Sequence, residues 1–482
     1  MTLQLLLALS LLVVIHEFGH YIVARAFGIR VTKFYVFFNP KFSLLRFKKV
    51  NGKFQFKFFA KNLSDVEVEK DMHGNSVFDL EGKPVYRKVD INSLPDDDWR
   101  KYPENTEYGI GWLPLGGYVK IAGMIDESMD MEQMKQEPKE WEFRSKPAWQ
   151  RFLVMIAGVV MNVIAGVLIF TFTHMGYTKA YLPVDNVPEG VYAYKAGRYF
   201  GFKPGDKIIG IDGKPVERYE DVFSTKLYFA KTVTVDRGGV IKEVELPDTI
   251  YSFMKNDGRL ISLENYKFTV DSVLKDHAAY KAGMKPGVNI VSIDNENVSS
   301  FGQMREILMY NRDTALPFVT DSRLGIDTLM IDVEPTGTIG VLVSRPQYEF
   351  KKYNFLSAMK YGWKDAFESI HANIKGFGLI FSGKEKAKDN LQGPIGIAKV
   401  FGGVWNWERF WKLTGLLSMV LAFVNILPIP ALDGGHALFL LIEAVTRRKL
   451  SDRFMEIAQI IGMLLLFALM IFIIGNDIIN LF

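Results

Sequence analysis

The chain has 482 residues, 49% of them hydrophobic, with 58 lysines and arginines against 54 aspartates and glutamates and a formal charge of +4. That balance excludes a globally basic nucleic-acid binder, and the apolar content suits membrane helices joined to a soluble portion better than either alone. There is no cysteine, which excludes disulfides, thiolate metal ligands and cysteine nucleophiles, so any metal must be held by His, Asp, Glu or Asn.

The first predicted element is a membrane helix over 1–27. Leu3–Ile15 carries no charge and runs directly into His16-Glu17-Phe18-Gly19-His20. A cleaved signal peptide fits less well, because the stretch lacks a basic leader and is followed by HEFGH rather than a small-residue cleavage site. On a helix, HExxH sets two histidines a turn apart on one face, as a zinc ion requires, with the glutamate placed as general base. Two imidazoles and a carboxylate in a membrane span are costly unless they bind something, so the default reading is a functional site.

Segment 28–149 opens as a sheet. Val50-Asn51-Gly52 is a hairpin turn signal, and Lys53-Phe-Gln-Phe-Lys-Phe58 alternates aromatic and polar residues. Such a sheet puts phenylalanines on one face and lysines on the other, suited to the inner membrane surface with its anionic head groups. A small soluble sheet packed on a helix is the alternative. The charged stretch from about 61 to 107, with Asp96-Asp97-Asp98 and a solvated His73, reads as an inserted lobe. Beyond it, Tyr108–Lys120 is an extended run punctuated by Gly109, Gly111, Gly116 and Gly117 before Tyr118.

Three more stretches approach the ~20 residues that cross a bilayer: Phe152–Phe172 within 150–175, Leu413–Leu432 within 412–435, and Ile457–Ile474 within 455–478. Four spans place both termini on one side. The short loop holding Arg447, Arg448, Lys449 and Arg453 reads as cytoplasmic, which puts 28–149 inside and 176–411 outside.

Segment 176–411 contains a repeat. Ala193-Tyr-Lys-Ala-Gly197 recurs as Ala279-Tyr-Lys-Ala-Gly283, and Lys203-Pro-Gly205 as Lys285-Pro-Gly287. Each is followed by an Ile-Asp turn, which implies two α+β modules over 184–260 and 261–345. The pattern resembles PDZ domains of the bacterial protease type, which implies grooves that take peptide C-termini as an added strand. The second copy departs from it, with Val288 where the first has Asp206. Residues 350–411 then form a linker and an amphipathic helix, Asn354–Phe381, expected against the outer leaflet or the repeat modules.

A catalytic zinc needs a third protein ligand and an open position. Asp433, at the end of a span broken by Pro428 and Pro430, is the carboxylate best placed, and Gly434-Gly435 lets the chain turn near the metal. His436 and Glu443 compete for the role.

HEFGH in the first span, Asn425-x-x-Pro428 with Leu432-Asp433-Gly434-Gly435 in a later one, and PDZ-like modules between them resemble the site-2 protease family, in its bacterial RseP-like type. Leu115-Gly-Gly-Tyr-Val-Lys120, Phe143-x-x-Lys146-x-x-Trp149-x-Arg151, Ala157-Gly158 with Asn162, and Asn390–Lys399 extend the likeness along the chain. Val159, in place of a proline after Ala-Gly, and the length of the 61–107 stretch depart from it.

The resemblance implies a multi-pass α-helical protein of the bacterial inner membrane, with four transmembrane helices, two extracytoplasmic PDZ-like domains and a membrane-associated β region. It implies zinc on His16, His20 and Asp433, with Glu17 as catalytic base. Asn425, Pro428 and Pro430 would contact substrate, and the strand holding Gly109, Gly111, Gly116, Gly117 and Tyr118 would hold it extended. The implied activity is zinc-dependent cleavage of transmembrane segments of single-span proteins, such as anti-sigma factors trimmed by another protease or remnant signal peptides. The partners are those substrates and lipid, not nucleic acid. The rival readings are an inactive PDZ-bearing adaptor with a structural zinc site, which leaves the glutamate of HExxH unexplained, and a metal transporter, which lacks a second polar ladder in the spans.

Overall fold

A computed structural model of the protein describes residues 1–63, 66–68, 84, 86–89, 93–124, 137–177, 181–247, 250–251, 253 and 259–479. The chain divides into two units, residues 1–176 with 355–482, and residues 177–354.

The first unit holds the apolar helices. Among the described residues four are long and apolar enough to cross a membrane: Thr2–Ala26, Ala148–Gly176, Trp407–Ile426 and Arg453–Ile479. The second is central, and small residues let its neighbours approach backbone to backbone. A Cβ on Gly19 would lie 2.4 Å from the Ala157 carbonyl, one on Gly166 2.3 Å from Met419 Sδ, and one on Gly362 2.5 Å from Thr171 Oγ1. The amphipathic helix is Phe355–Phe381, and it packs on the second and third spans instead of lying free at a leaflet. Phe377 meets Phe423, and His174 Nε2 lies 2.8 Å from Asp365 Oδ2.

The third span is shorter than its apolar run. Its helix stops at Ile426, Leu427 is extended, and a separate helix, Asp433–Thr446, begins at the aspartate. Pro428 and Pro430 cannot continue the ladder. In this linker Ala431 takes φ +79°, a left-handed conformation that a side chain disfavours. The fourth span is the most exposed of the four. It is held at Gly462, which sits against the Pro430 carbonyl, and at Asp477, whose carboxylate accepts the backbone N–H groups of Gly393 at 3.0 Å, Ile395 at 2.8 Å and Gly396 at 3.1 Å.

Residues after the first span form a five-stranded sheet. In chain order the strands of this region are β1 (Val31–Phe38), β2 (Phe42–Val50), β3 (Lys53–Lys61), the short pair β4 (Val66–Val68) and β5 (Tyr86–Lys88), then β6 (Glu107–Ile110) and β7 (Leu113–Ile121). The sheet runs β3-β2-β6-β1-β7, with β4 and β5 pairing only with each other. The glycine-punctuated run is therefore two strands on opposite sides of β1, not one. β6 lies parallel to β1 inside the sheet, and β7 lies antiparallel to β1 at the edge.

The faces of β3 divide as its alternation predicts, but with the polar side covered. Phe54, Phe56 and Phe58 are about 60–68% exposed. On the other face Trp99 is buried against Arg46 and Lys57 and donates its indole N–H to Gln55 Oε1 at 2.7 Å. The end of the expected insertion thus belongs to the sheet, while most of 64–92, His73 included, lies outside the described residues.

The second unit contains the repeat. Each copy has a four-stranded sheet of the same order: Lys214–Pro215, Lys207–Ile211, Thr232–Arg237 and Val240–Glu245 in the first, and Glu296–Asn297, Asn289–Ile293, Ala315–Ser322 and Gly325–Asp332 in the second. Asp212 and Asp294 both take φ 49° at the equivalent turn. The copies bury separate cores, one around Ile208, Val233 and Val235, the other around Ile290, Phe318 and Ile331. The boundary expected at 260/261 moves, because Ile261–Ser262 pairs with Tyr192–Ala193 and Leu260 and Ile261 lie in the first core. Val341–Val343 plays the same part for Val270–Val273 in the second. Asp206 is a structural pin, accepting Lys203 N–H and both arms of Arg237. Val288 is buried in the second core instead, which explains the departure between copies.

Candidate active site

His16, Glu17 and His20 sit within one continuous helix, Thr2–Ala26. Helical spacing brings His16 Nε2 and His20 Nε2 to 3.3 Å. Asp433, first residue of its helix, sends Oδ2 to within 3.0 Å of His16 Nε2 and 3.3 Å of His20 Nε2. Gly434 and Gly435 permit this approach, since a Cβ on either would lie 2.4 Å from backbone of Ile426, Leu427 or Ile429.

Both rings are held from behind. His20 Nδ1 lies 2.8 Å from the Val154 carbonyl, so Nδ1 is the protonated nitrogen and Nε2 keeps its lone pair facing Asp433. His16 Nδ1 lies 3.1 Å from the side-chain amide of Asn162, a fully buried residue whose Oδ1 has no partner among the described residues. Turning that amide end over end lets Oδ1 accept the Nδ1 proton and gives His16 the same tautomer. Ser418 donates to the Asn162 carbonyl at 2.7 Å and fixes that stretch of the second span against the third. Gly158 completes the cradle, for a Cβ there would lie 2.5 Å from His20 Nε2 and 2.6 Å from His16 Cε1.

The three donor atoms fit a zinc ion. Tetrahedral zinc with bonds of about 2.0–2.1 Å sets its ligands about 3.3 Å apart, which matches the separations here. Among the described residues Asp433 Oδ2 is buried without a hydrogen-bond donor, as expected of an oxygen facing a cation. Glu443 is engaged elsewhere, paired with Arg151 at 2.5 Å, and His436 lines the cavity outside the cluster of three.

The cluster opens on a cavity of about 460 Å³ lined also by Glu17, Gly117–Ile121 of β7, Ala431, Leu432 and Gln459. Gly117 and Tyr118 therefore reach the site. Gly116, at φ +142°, packs beside Phe38. Gly109 and Gly111 do not line the cavity. Gly109 lies under the Tyr35 ring in the inner strand β6, and Gly111 lies against the Phe38 carbonyl. Tyr35 donates to Glu107 at 2.6 Å, and burial followed by that carboxylate pushes its phenol well above the usual value, so it stays a neutral donor. Asn425 Nδ2 is 3.5 Å from His16 Nε2, at the edge of the cluster. Pro428 and Pro430 shape the linker and do not line the cavity. Val154 and Gln459 are the participants that the motifs leave unnamed, and the only trace of Gln459 in the sequence is a lone amide within an apolar run.

A family model for peptidase family M50 matches residues 4–68 and 97–469. The chain belongs to peptidase family M50. The likeness to site-2 proteases read from its motifs is thereby established. It is 25% identical to the "Regulator of sigma E protease" of Haemophilus influenzae, over 99% of this chain and 98% of that one. It is also 25% identical to a "Putative zinc metalloprotease" of Mesorhizobium japonicum, over 98% and 96% respectively. A protein of the same name from Thermotoga maritima is 23% identical over 98% of both chains.

Proposed function

We propose that this M50 member cuts transmembrane segments of single-span proteins within the membrane, with zinc held by His16, His20 and Asp433 and the proton moved by Glu17. Membership of the family makes the chain a zinc-dependent metalloendopeptidase. The observation that carries the rest is the donor cluster, spaced for zinc, inside apolar helices and open to a cavity edged by β7.

His16, His20 and Asp433 would hold the zinc, which when bound would supply Lewis-acid polarisation of the scissile carbonyl and a more acidic water. Glu17, in the same cavity, takes the proton of the attacking water and returns it to the leaving nitrogen. A helical substrate hides its carbonyls in its own hydrogen bonds, so it must unwind before attack, and the freed groups need partners in a medium without water. The edge strand β7 and the Asn425 amide supply them, with Pro428 and Pro430 holding the linker open. The cluster carries three His and Asp ligands among the described residues and faces a cavity, which favours a catalytic site over the closed four-ligand site of a structural zinc.

The exposed phenylalanines of β3 support a sheet seated in the membrane surface. The loop with Arg447, Arg448 and Lys449 supports a cytoplasmic site and an outer second unit. Its two modules would act as PDZ-like filters, by taking a freshly cut C-terminus or by excluding bulky outer domains. The Haemophilus relative's name directs the substrate reading to the control of sigma E, and so to an anti-sigma factor.

The test is product mapping. Purified protein with zinc, given a pre-trimmed single-span substrate in detergent, should cut inside the apolar span. Cuts confined to flanking polar residues would overturn the intramembrane reading.

A further inference from the structure

Gln459 is the one strongly polar side chain in the apolar run Ile457–Ile474, and neither the metal cluster nor the sheet uses it. It is 7% exposed, whereas its neighbours Ile457 and Ile461 expose 49% and 58%. The cause lies one turn on, where Gly462 presses against the Pro430 carbonyl and turns that face of the fourth span toward the broken linker. The inward face opens on the active-site cavity, and Gln459 shares its lining with Glu17, Asp433 and the edge strand β7. No hydrogen bond joins its amide to a described residue, and its polar atoms are not among those sealed from solvent, so they reach the cavity. An amide in a membrane helix without a protein partner is costly unless something else pairs with it.

We propose that Gln459 is a substrate-positioning residue, whose side-chain amide hydrogen-bonds the main chain of the substrate segment lying extended in the cavity. A primary amide offers two donor hydrogens and an acceptor, which match the C=O and N–H that a peptide exposes when its helix opens. The pairing does not depend on substrate side chains, so it suits an enzyme that takes apolar segments of differing sequence. It also gives the fourth span a part in the site, through the face that Gly462 sets. The inference rests on the proteolytic reading above.

The experiment uses the full-length zinc protein, a synthetic single-span peptide substrate, and analogues in which one main-chain amide at a time near the cut bond is an ester. An ester removes the N–H donor and leaves a weaker acceptor. In wild type, one ester position should lower kcat/KM about fivefold to tenfold beyond the others, the size of one hydrogen bond. Gln459→Leu should cleave the parent peptide about fivefold to tenfold more slowly, with zinc content unchanged and no further loss at that ester. Gln459→Met, closer in length and flexibility, should behave the same way.

Parent cleavage at the wild-type rate by both variants, or identical ester penalties in wild type and variant, would overturn the proposal. Loss of zinc from both variants would also overturn it, by making Gln459 a structural support of the metal site. A wild-type protein that cuts none of the peptides would instead sink the proteolytic reading, and the positioning role with it.

Discussion

Gly158 leaves the space in which the two imidazoles stand. With both ring atoms within 2.6 Å of where its Cβ would be, Gly158→Ala must push the histidines off their present positions or shift the first span, which Gly19 already seats on the Ala157 carbonyl. The expected result is at least a tenfold loss of zinc affinity, read by competition with a chelator, and a matching loss of cleavage. Zinc affinity equal to wild type would contradict the packing described. The candidate set His16, Glu17, His20 and Asp433 could be read from the sequence because helical spacing and the LDGG turn are local patterns with chemistry attached. Asn162 and Gly158 stood out through the family likeness alone, with nothing in the sequence to say that they cradle the histidine rings. Which neighbour each one meets is decided by the packing of helices far apart in sequence, and a single chain does not display that.

At the scale of elements, the same limit explains the glycine run. Tyr108–Lys120 reads as one extended stretch, yet β6 pairs parallel to β1 and β7 pairs antiparallel to it from the other side. The reversal falls at Gly111 and Trp112, where Gly111 fits against the Phe38 carbonyl, and no familiar turn pair marks it. The break after Ile426 was legible, since Pro428 and Pro430 forbid a regular helix, but the fresh helix at Asp433 was not. In the sheet, the alternation of β3 foretold the two faces, while Trp99, supplied from about forty residues away, decided that the lysine face would be the covered one. The exposed face makes a prediction of its own. The chain has no cysteine, so Phe56→Cys provides one unique labelling point. A polarity-sensitive dye attached there should shift to the blue on reconstitution into vesicles and be quenched by brominated lipid. A dye that stays in water, unquenched, would contradict a membrane-seated sheet.

Over the whole molecule, two kinds of sequence signal sort into two units. Charge-free runs and HExxH mark the helical unit, where small residues set the distances between spans and polar residues gather at one place. The repeat marks the other unit, where each copy closes its own core with a late strand, the first copy drawing its strand from beyond the expected boundary. The proposed activity needs zinc on His16, His20 and Asp433 of the helical unit, with Glu17 moving the proton that peptide hydrolysis requires. The most direct measurement compares wild type with Glu17→Gln, both zinc-loaded, on a pre-trimmed single-span substrate. The glutamine keeps the size of the side chain and removes the base, so zinc content should stay at one per chain while cleavage falls by a hundredfold or more, on the order of a lost general base. Cleavage by Glu17→Gln at the wild-type rate, with zinc retained, would contradict the account.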